Sequence, residues 1–283
     1  MNAKARSLTE IHLAVLLFGL SGLFGKLIIL SPTIIVLGRV LFSSIFLMMI
    51  ILYLKKDVKL KKKKHYLYLI MMGIILALHW SAFFKSIQVS TVAIGLLTFS
   101  TFPVFVTFLE PFFFKEEIKL SDSLTAVVTL FGVMLVIPAL ELGNNLTQGV
   151  IWGIISGLTY AILSMLNRKF VKEYSSFVIA FYEQFIATLV LIPFYFLLRP
   201  VINLKDILLL VVLGVIFTGI SHLLFINSLK NLKTQTAGII SSLEPVYGII
   251  FAVFIIREIL DLREILGGIV ILSTVFYSTL KAK

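Results

Sequence analysis

Ten apolar runs, each of roughly twenty residues, follow one another along the chain with short polar breaks between them. A helix needs about 20 apolar residues to cross a hydrocarbon core about 30 Å thick, so the pattern restricts the chain to a multi-pass membrane protein. Hydrophobic residues fill 59% of the 283 positions and charged residues 14%, against about 25% charge in soluble domains. An ordinary water-soluble enzyme, a disordered chain and a collagen-like chain are excluded. Ten crossings also leave no room for an extramembrane domain. The runs lack the alternation of barrel strands, so the expected fold is an all-α integral membrane protein.

The breaks place ten transmembrane helices over 11–30, 33–54, 66–86, 91–114, 121–139, 149–167, 177–198, 207–227, 235–256 and 264–280. Lys4 and Arg6 precede the first run as in a signal peptide. Ile11 to Leu30 is long for such a segment and no small-residue cleavage site follows, so it reads as a retained helix. The net charge of +11 lies in the short loops, where basic residues set topology, and not in a nucleic-acid-binding surface. With the N-terminus inside, the inner segments hold 18 Lys and Arg and the outer loops 5. Both termini are therefore expected in the cytoplasm, with the Lys-rich loop 55–64. The lysine excess suggests a bacterial host, and hence the cytoplasmic membrane of a bacterium. Without cysteine there are no disulfides or thiolate metal sites.

An offset of 142 residues aligns 79–133 with 221–275, with 12 identities in 55 positions. Pro103-Val104 falls on Pro245-Val246, Lys115-Glu116 on Arg257-Glu258, and Leu120 on Leu262. Five helices separate equivalent points, and an odd number inverts the second copy. The expected organisation is a first five-helix repeat over 1–140 and an inverted one over 141–283, the arrangement of carriers with a site between their halves.

On these residues the chain resembles the EamA-type transporters of the drug/metabolite transporter superfamily. The second half carries the clearest stretch, Ala237-Gly238-Ile239-Ile240-Ser241-Ser242-Leu243-Glu244-Pro245-Val246, then Arg257-Glu258 and Gly267-Gly268. The first half matches at Pro103-Val104, Glu116 and Gly132-Val133, with Phe102 where the second has Glu244. Arg39 on the second helix and the opening Phe18-Gly19-Leu20-Ser21-Gly22 are also similar. The resemblance implies a metabolite transporter, with efflux as its direction; it does not specify the substrate.

An ionisable side chain at membrane depth costs at least about 2.5–3.5 kcal/mol, so each one needs a reason. Lys26, Arg39 and His79 fall in the outer half of the bilayer, and Glu183, His222 and Glu244 in the inner half. A polar cavity between the halves accounts for them. There Arg39 or Lys26 holds a carboxylate or sets an outer gate, while Glu244 and Glu183 bind an amine or a proton. The alternatives are structural: Lys26 snorkels to the interface, Arg39 locks a backbone carbonyl, and His79 and His222 bridge helices. Glu110, before Pro111, reads as interfacial. Trp80 and Tyr160 either stack on a substrate ring or pack helices. Gly153 with Gly157, and Gly19, Gly22 and Gly25, form small faces for close helix contacts.

The function expected is a secondary transporter exporting a small metabolite, such as a zwitterionic amino acid, by alternating access. No nucleotide-binding loop is present, so gradients supply the energy. No His-Glu-x-x-His, Gly-x-Ser-x-Gly or acidic metal cluster points to a membrane enzyme, a cofactor or a metal. A channel or sensor would need repeated polar stripes. Single cysteines test the topology. Asn144→Cys should react with an impermeant thiol reagent on intact cells and Lys62→Cys should not; the reverse labelling contradicts the orientation.

Overall fold

The structure is a computed structural model that describes residues 3–114, 120–136, 143–241 and 243–281. These residues are helical, with no strand among them. Helices lie over all ten expected runs, and several runs are interrupted. The first is α1 (Ala3–Ser21) and the short α2 (Phe24–Leu27), followed by α3 (Pro32–Tyr53) and α4 (Lys63–Val89). The fourth run splits into α5 (Val92–Phe99) and α6 (Phe102–Phe114), ahead of α7 (Leu120–Val136), α8 (Asn145–Phe170) and α9 (Ser176–Leu198). The eighth is α10 (Leu204–Gly214), a π-helical turn over Val215–Ile220, and α11 (Ser221–Ser228). The ninth splits into α12 (Thr234–Ser241) and α13 (Glu244–Phe251), ending in a π-helical turn over Ala252–Ile256, and α14 (Leu262–Lys281) closes the chain. Seven helices among the described residues are long and apolar enough to cross a membrane, and Val127–Val136 and Glu244–Ile256 are shorter apolar helices. Lys115, Glu116, Lys119 and Lys283, which entered the sequence reading, lie outside the described residues.

Local chemistry sets the helix starts. Pro32 begins α3, where its missing N–H is one the helix leaves unpaired anyway. The Thr91 hydroxyl accepts from the Ile94 N–H at 2.9 Å to open α5, and the Asn144 side chain accepts from Leu146 N–H at 2.8 Å to open α8. Asn203 and Asp206 form a reciprocal capping box for α10.

The 142-residue offset reappears in these boundaries. Val92, Phe99, Phe102 and Leu120 bound α5, the start of α6 and the start of α7. Thr234, Ser241, Glu244 and Leu262, each 142 positions on, bound α12, the start of α13 and the start of α14. Pro103 and Pro245 both sit in the first turn of a new helix, so each break precedes its proline. The packing is paired in the same way. The contact of α4 with α8 has its counterpart in α1 with α11, and that of α4 with α9 in α10 with α3. At the centre of this pairing α3 packs on α9, and α7 on α14.

Lipid offers apolar surfaces no drive to associate, so close packing holds such helices together. Gly19 on α1 supplies one such approach. A Cβ there would stand 2.7 Å from the Glu244 carbonyl oxygen and 3.1 Å from the Gly248 nitrogen. Both neighbours are backbone and neither yields without moving α13. Gly157 meets α5–α6 similarly, 3.1 Å from the Phe99 carbonyl. Gly19→Leu should therefore lower stability by about 1–3 kcal/mol, the usual cost of overpacking, in detergent thermal unfolding. Gly143→Ala, with nothing within 4 Å, should change nothing. Equal effects from both would remove this contact from the account.

Candidate functional site

Where α1, α4, α5, α8 and α13 meet, they enclose a cavity lined by Phe18, Ser21, His79, Trp80, Phe83, Phe99, Tyr160 and Glu244. Its volume is about 20 Å³, roughly the room of one water molecule. The lining is aromatic except for Ser21, His79 and Glu244. Tyr160 stacks on His79 with centroids 4.7 Å apart and meets Phe99 at 5.5 Å.

Glu244 occupies the first turn of α13, where the unpaired N–H groups of a helix start favour negative charge. It is 4% exposed, and no hydrogen bond involves its carboxylate among the described residues. Pro245 beside it has no N–H to offer. The single helix expected over 235–256 is two pieces, with the acid at the head of the second.

Arg39 is 1% exposed, and its guanidinium carbon lies 3.9 Å from the centroid of the Trp80 ring. Its Nε donates to the Thr218 hydroxyl at 2.9 Å, and that hydroxyl donates to the Leu213 carbonyl at 2.7 Å. Leu213 is five residues before Thr218, a spacing that fits the π-helical turn carrying Thr218. Gly214 lets this turn approach α3: a Cβ there would lie 2.8 Å from the Arg39 carbonyl. The two terminal nitrogens of Arg39 have no hydrogen-bond partner, and each such buried group costs about 1–3 kcal/mol.

Two of the predicted residues pair with each other. His222 Nε2 and Glu183 Oε2 are 2.6 Å apart, and both residues are wholly buried. Trp80 stands edge-on to His222 at 5.5 Å. His79 makes the interhelical contact foreseen for it, with Nδ1 3.0 Å from both the Ser156 carbonyl and the Ser156 hydroxyl. Arg39, His79, Trp80, Tyr160, Glu183, His222 and Glu244 thus form one cluster, although chain position had divided the charged members between two depths.

Lys26 is the exception and corrects the sequence grouping. The chain breaks after Ser21, and the short α2 carries Lys26 out of the cavity. Its Nζ donates to the Ser90 carbonyl at 2.7 Å, near the Glu258 carboxylate. Glu258 accepts from the Val92 and Ala93 N–H groups at 3.0 Å and so caps α5. Gln88 adds a donation to the Leu30 carbonyl at 2.8 Å, and together these ties close that end of the bundle. Glu110, read as interfacial, is buried and paired with Arg168. On α1, Glu10 accepts from Asn227 at 2.7 Å and Ser7 from Asn231 at 3.0 Å.

Sequence reasoning missed Thr218, Ser156 and the Phe18, Phe83 and Phe99 walls. With 25 phenylalanines in the chain, single ones carry no contrast. The Thr218 contact depends on a π-turn that hydropathy does not encode.

The fold and site define a multi-pass helical membrane protein with a small, mainly aromatic cavity, one wall of which carries an acid, at the meeting of its helices. The EamA-like transporter family matches residues 9–137 and again 147–280. The chain belongs to that family and is a membrane transporter. An uncharacterized transporter of Bacillus subtilis, YxxF, is 27% identical over 277 residues, covering 95% of this chain and 88% of its own. An uncharacterized transporter of Archaeoglobus fulgidus is 30% identical over 195 residues, 69% of this chain and 70% of its own. The S-adenosylmethionine uptake transporter of Rickettsia conorii is 26% identical over 250 residues, 86% and 82%. A solved crystal structure superposes with a TM-score of 0.72 at 15% identity, over 99% of this chain and 97% of its own, and shows the same fold.

The bond to Thr218 yields a test. Thr218→Val should cost about 1–3 kcal/mol of stability by leaving the Arg39 Nε unpaired, and Thr218→Ser should cost little. Equal losses in detergent unfolding would show that the methyl group, not the hydroxyl, matters.

Proposed function

We propose that the protein is a secondary transporter of small metabolites that carry a positively charged amine or onium centre together with a carboxylate. Glu244 carries this reading: a buried carboxylate with no hydrogen-bond partner among the described residues, on the wall of a cavity lined mainly by aromatic rings. A cation seated there gains the carboxylate and the ring faces of Trp80, Phe83, Phe99 and Tyr160 at once, and such contacts strengthen when desolvated. The two unpaired nitrogens of Arg39 form the fork that takes a carboxylate in two parallel hydrogen bonds. Amino acids and S-adenosylmethionine both fit this description, and the second is the substrate named for the Rickettsia relatives.

A cavity of about 20 Å³ holds no metabolite, so this conformation is the closed one of a transport cycle. In the cycle the repeats 1–140 and 141–283 rock against each other in the cytoplasmic membrane of a bacterium, with both termini inside. The Lys26–Ser90 and Glu258–α5 ties open on the outer side, and the Glu110–Arg168 pair and the Asn227–Glu10 bond on the inner side. Gradients supply the energy, and export is the direction taken here.

Glu244→Gln tests the anchor. In liposomes loaded with labelled S-adenosylmethionine or L-phenylalanine, the variant should transport at least about tenfold more slowly, a loss of about 1.4 kcal/mol. The pH dependence should stay in place. Wild-type rates at two pH values would leave Glu244 as a structural partner of its own helix break.

A further inference from the structure

The Glu183–His222 pair is not part of the cavity wall. Trp80 lines the cavity and meets His222 with its edge, so a metabolite in the cavity touches the indole and not the pair. Both members are wholly buried. Their inner atoms are 2.6 Å apart, while Glu183 Oε1 and His222 Nδ1 have no hydrogen-bond partner. The amide of Gln184, next along α9, is unpartnered at both ends. A pair that served only to join α9 to α11 would need its inner atoms alone. Here a buried carboxylate oxygen and a buried ring nitrogen are left over, one on each member of the pair.

We infer that Glu183 and His222 form the proton site of the carrier, which holds a proton while the cavity is empty and gives it up when a cation seats on Glu244. The proposal rests on the substrate reading above for its second half and on the geometry of the pair for its first.

The charges explain why one occupant excludes the other. The charged and titratable groups around the pair are Arg39 on α3, His79 on α4, Tyr160 on α8 and Glu244 on α13. The π-helical turn adds none, and α1 keeps Lys4, Arg6, Glu10 and His12 in its first turns. In this scheme Arg39 and Glu244 cancel as opposite charges and His79 and Tyr160 carry none, so the set balances when the pair carries one shared proton and no net charge. A substrate with a net charge of one positive unit unbalances it. Loss of the proton leaves Glu183 as carboxylate and His222 as neutral imidazole that still donates through Nε2, and balance returns. Uncompensated charge in a low-dielectric interior is costly, so the two occupied states exclude each other. One proton is exchanged for one substrate cation, and the exchange moves no net charge across the membrane. An inward proton gradient then drives the cation outward. The link to the rest of the site is short: His222 lies one turn beyond Thr218, which holds Arg39.

Trp80 provides a readout that needs no substrate. The chain has two tryptophans, so in a Trp152→Phe background the only indole is the one beside His222. Its fluorescence should show one pH-dependent step, shifted or lost in Glu183→Gln and in His222→Gln. No step, or an unchanged step in both variants, overturns the proton site. The second arm uses S-adenosylmethionine, net charge one positive unit, added to purified protein in weakly buffered detergent with a pH dye. Wild type should release about one proton per molecule bound; Glu183→Gln, which cannot become the carboxylate that balances the bound cation, should release none and bind at least about tenfold more weakly. Binding without release in wild type overturns the exchange. Absence of binding removes the substrate reading instead, and the fluorescence result still decides the pair.

Discussion

A buried guanidinium, that of Arg39, with no carboxylate in contact among the described residues, governs the centre of this protein. Arg39 sits where an ionised group is among the most expensive things a membrane protein can hold. Three features offset that cost: the face of Trp80 at 3.9 Å, the Thr218 hydroxyl at 2.9 Å and the field of Glu244. Each places a demand on the surrounding backbone. Thr218 reaches Arg39 from a π-helical turn, Gly214 brings that turn close to α3, and Glu244 is presented by a helix that starts at the cavity. Aromatic packing around Trp80 and Tyr160 keeps the region dry enough for these interactions to be strong.

The broken helices α5–α6 and α12–α13 do related work in the two halves. A break at membrane depth exposes backbone groups, which is tolerated only inside protein or against a cavity. Both breaks satisfy that condition, and they recur at the same 142-residue spacing. Their heads differ in chemistry. Phe102 starts α6 and packs on Phe99 and Tyr160, whereas Glu244 starts α13 and faces the cavity. One repeat thus supplies the apolar wall and the other the acid. Symmetry of backbone with asymmetry of side chain puts an acid and aromatic rings on the same cavity wall.

Much of this was legible in the sequence, for physical reasons that differ by residue. The apolar runs located every helix because bilayer thickness sets their length. Arg39, Glu183, His222 and Glu244 stood out because charge is rare in such runs, and the structure gathers them into one cluster. The interruptions were not legible: the long apolar runs carry on beyond Gly22–Leu23 and beyond the polar pair Ser100–Thr101. Lys26 was grouped with the cavity because an unbroken helix would have carried it there. The pairing of Glu110 with Arg168 joins helices far apart in sequence, which no local pattern reveals.

The central claim is that substrate lodges among Phe18, Trp80, Tyr160 and Glu244. Ser21 lines the same cavity, and the chain has no cysteine of its own. Protection of Ser21→Cys from a small membrane-permeant thiol reagent by S-adenosylmethionine is the most direct measurement. The account predicts that saturating ligand slows modification severalfold in a variant that still transports. Transport of the same compound with undiminished modification would place the substrate elsewhere and contradict it.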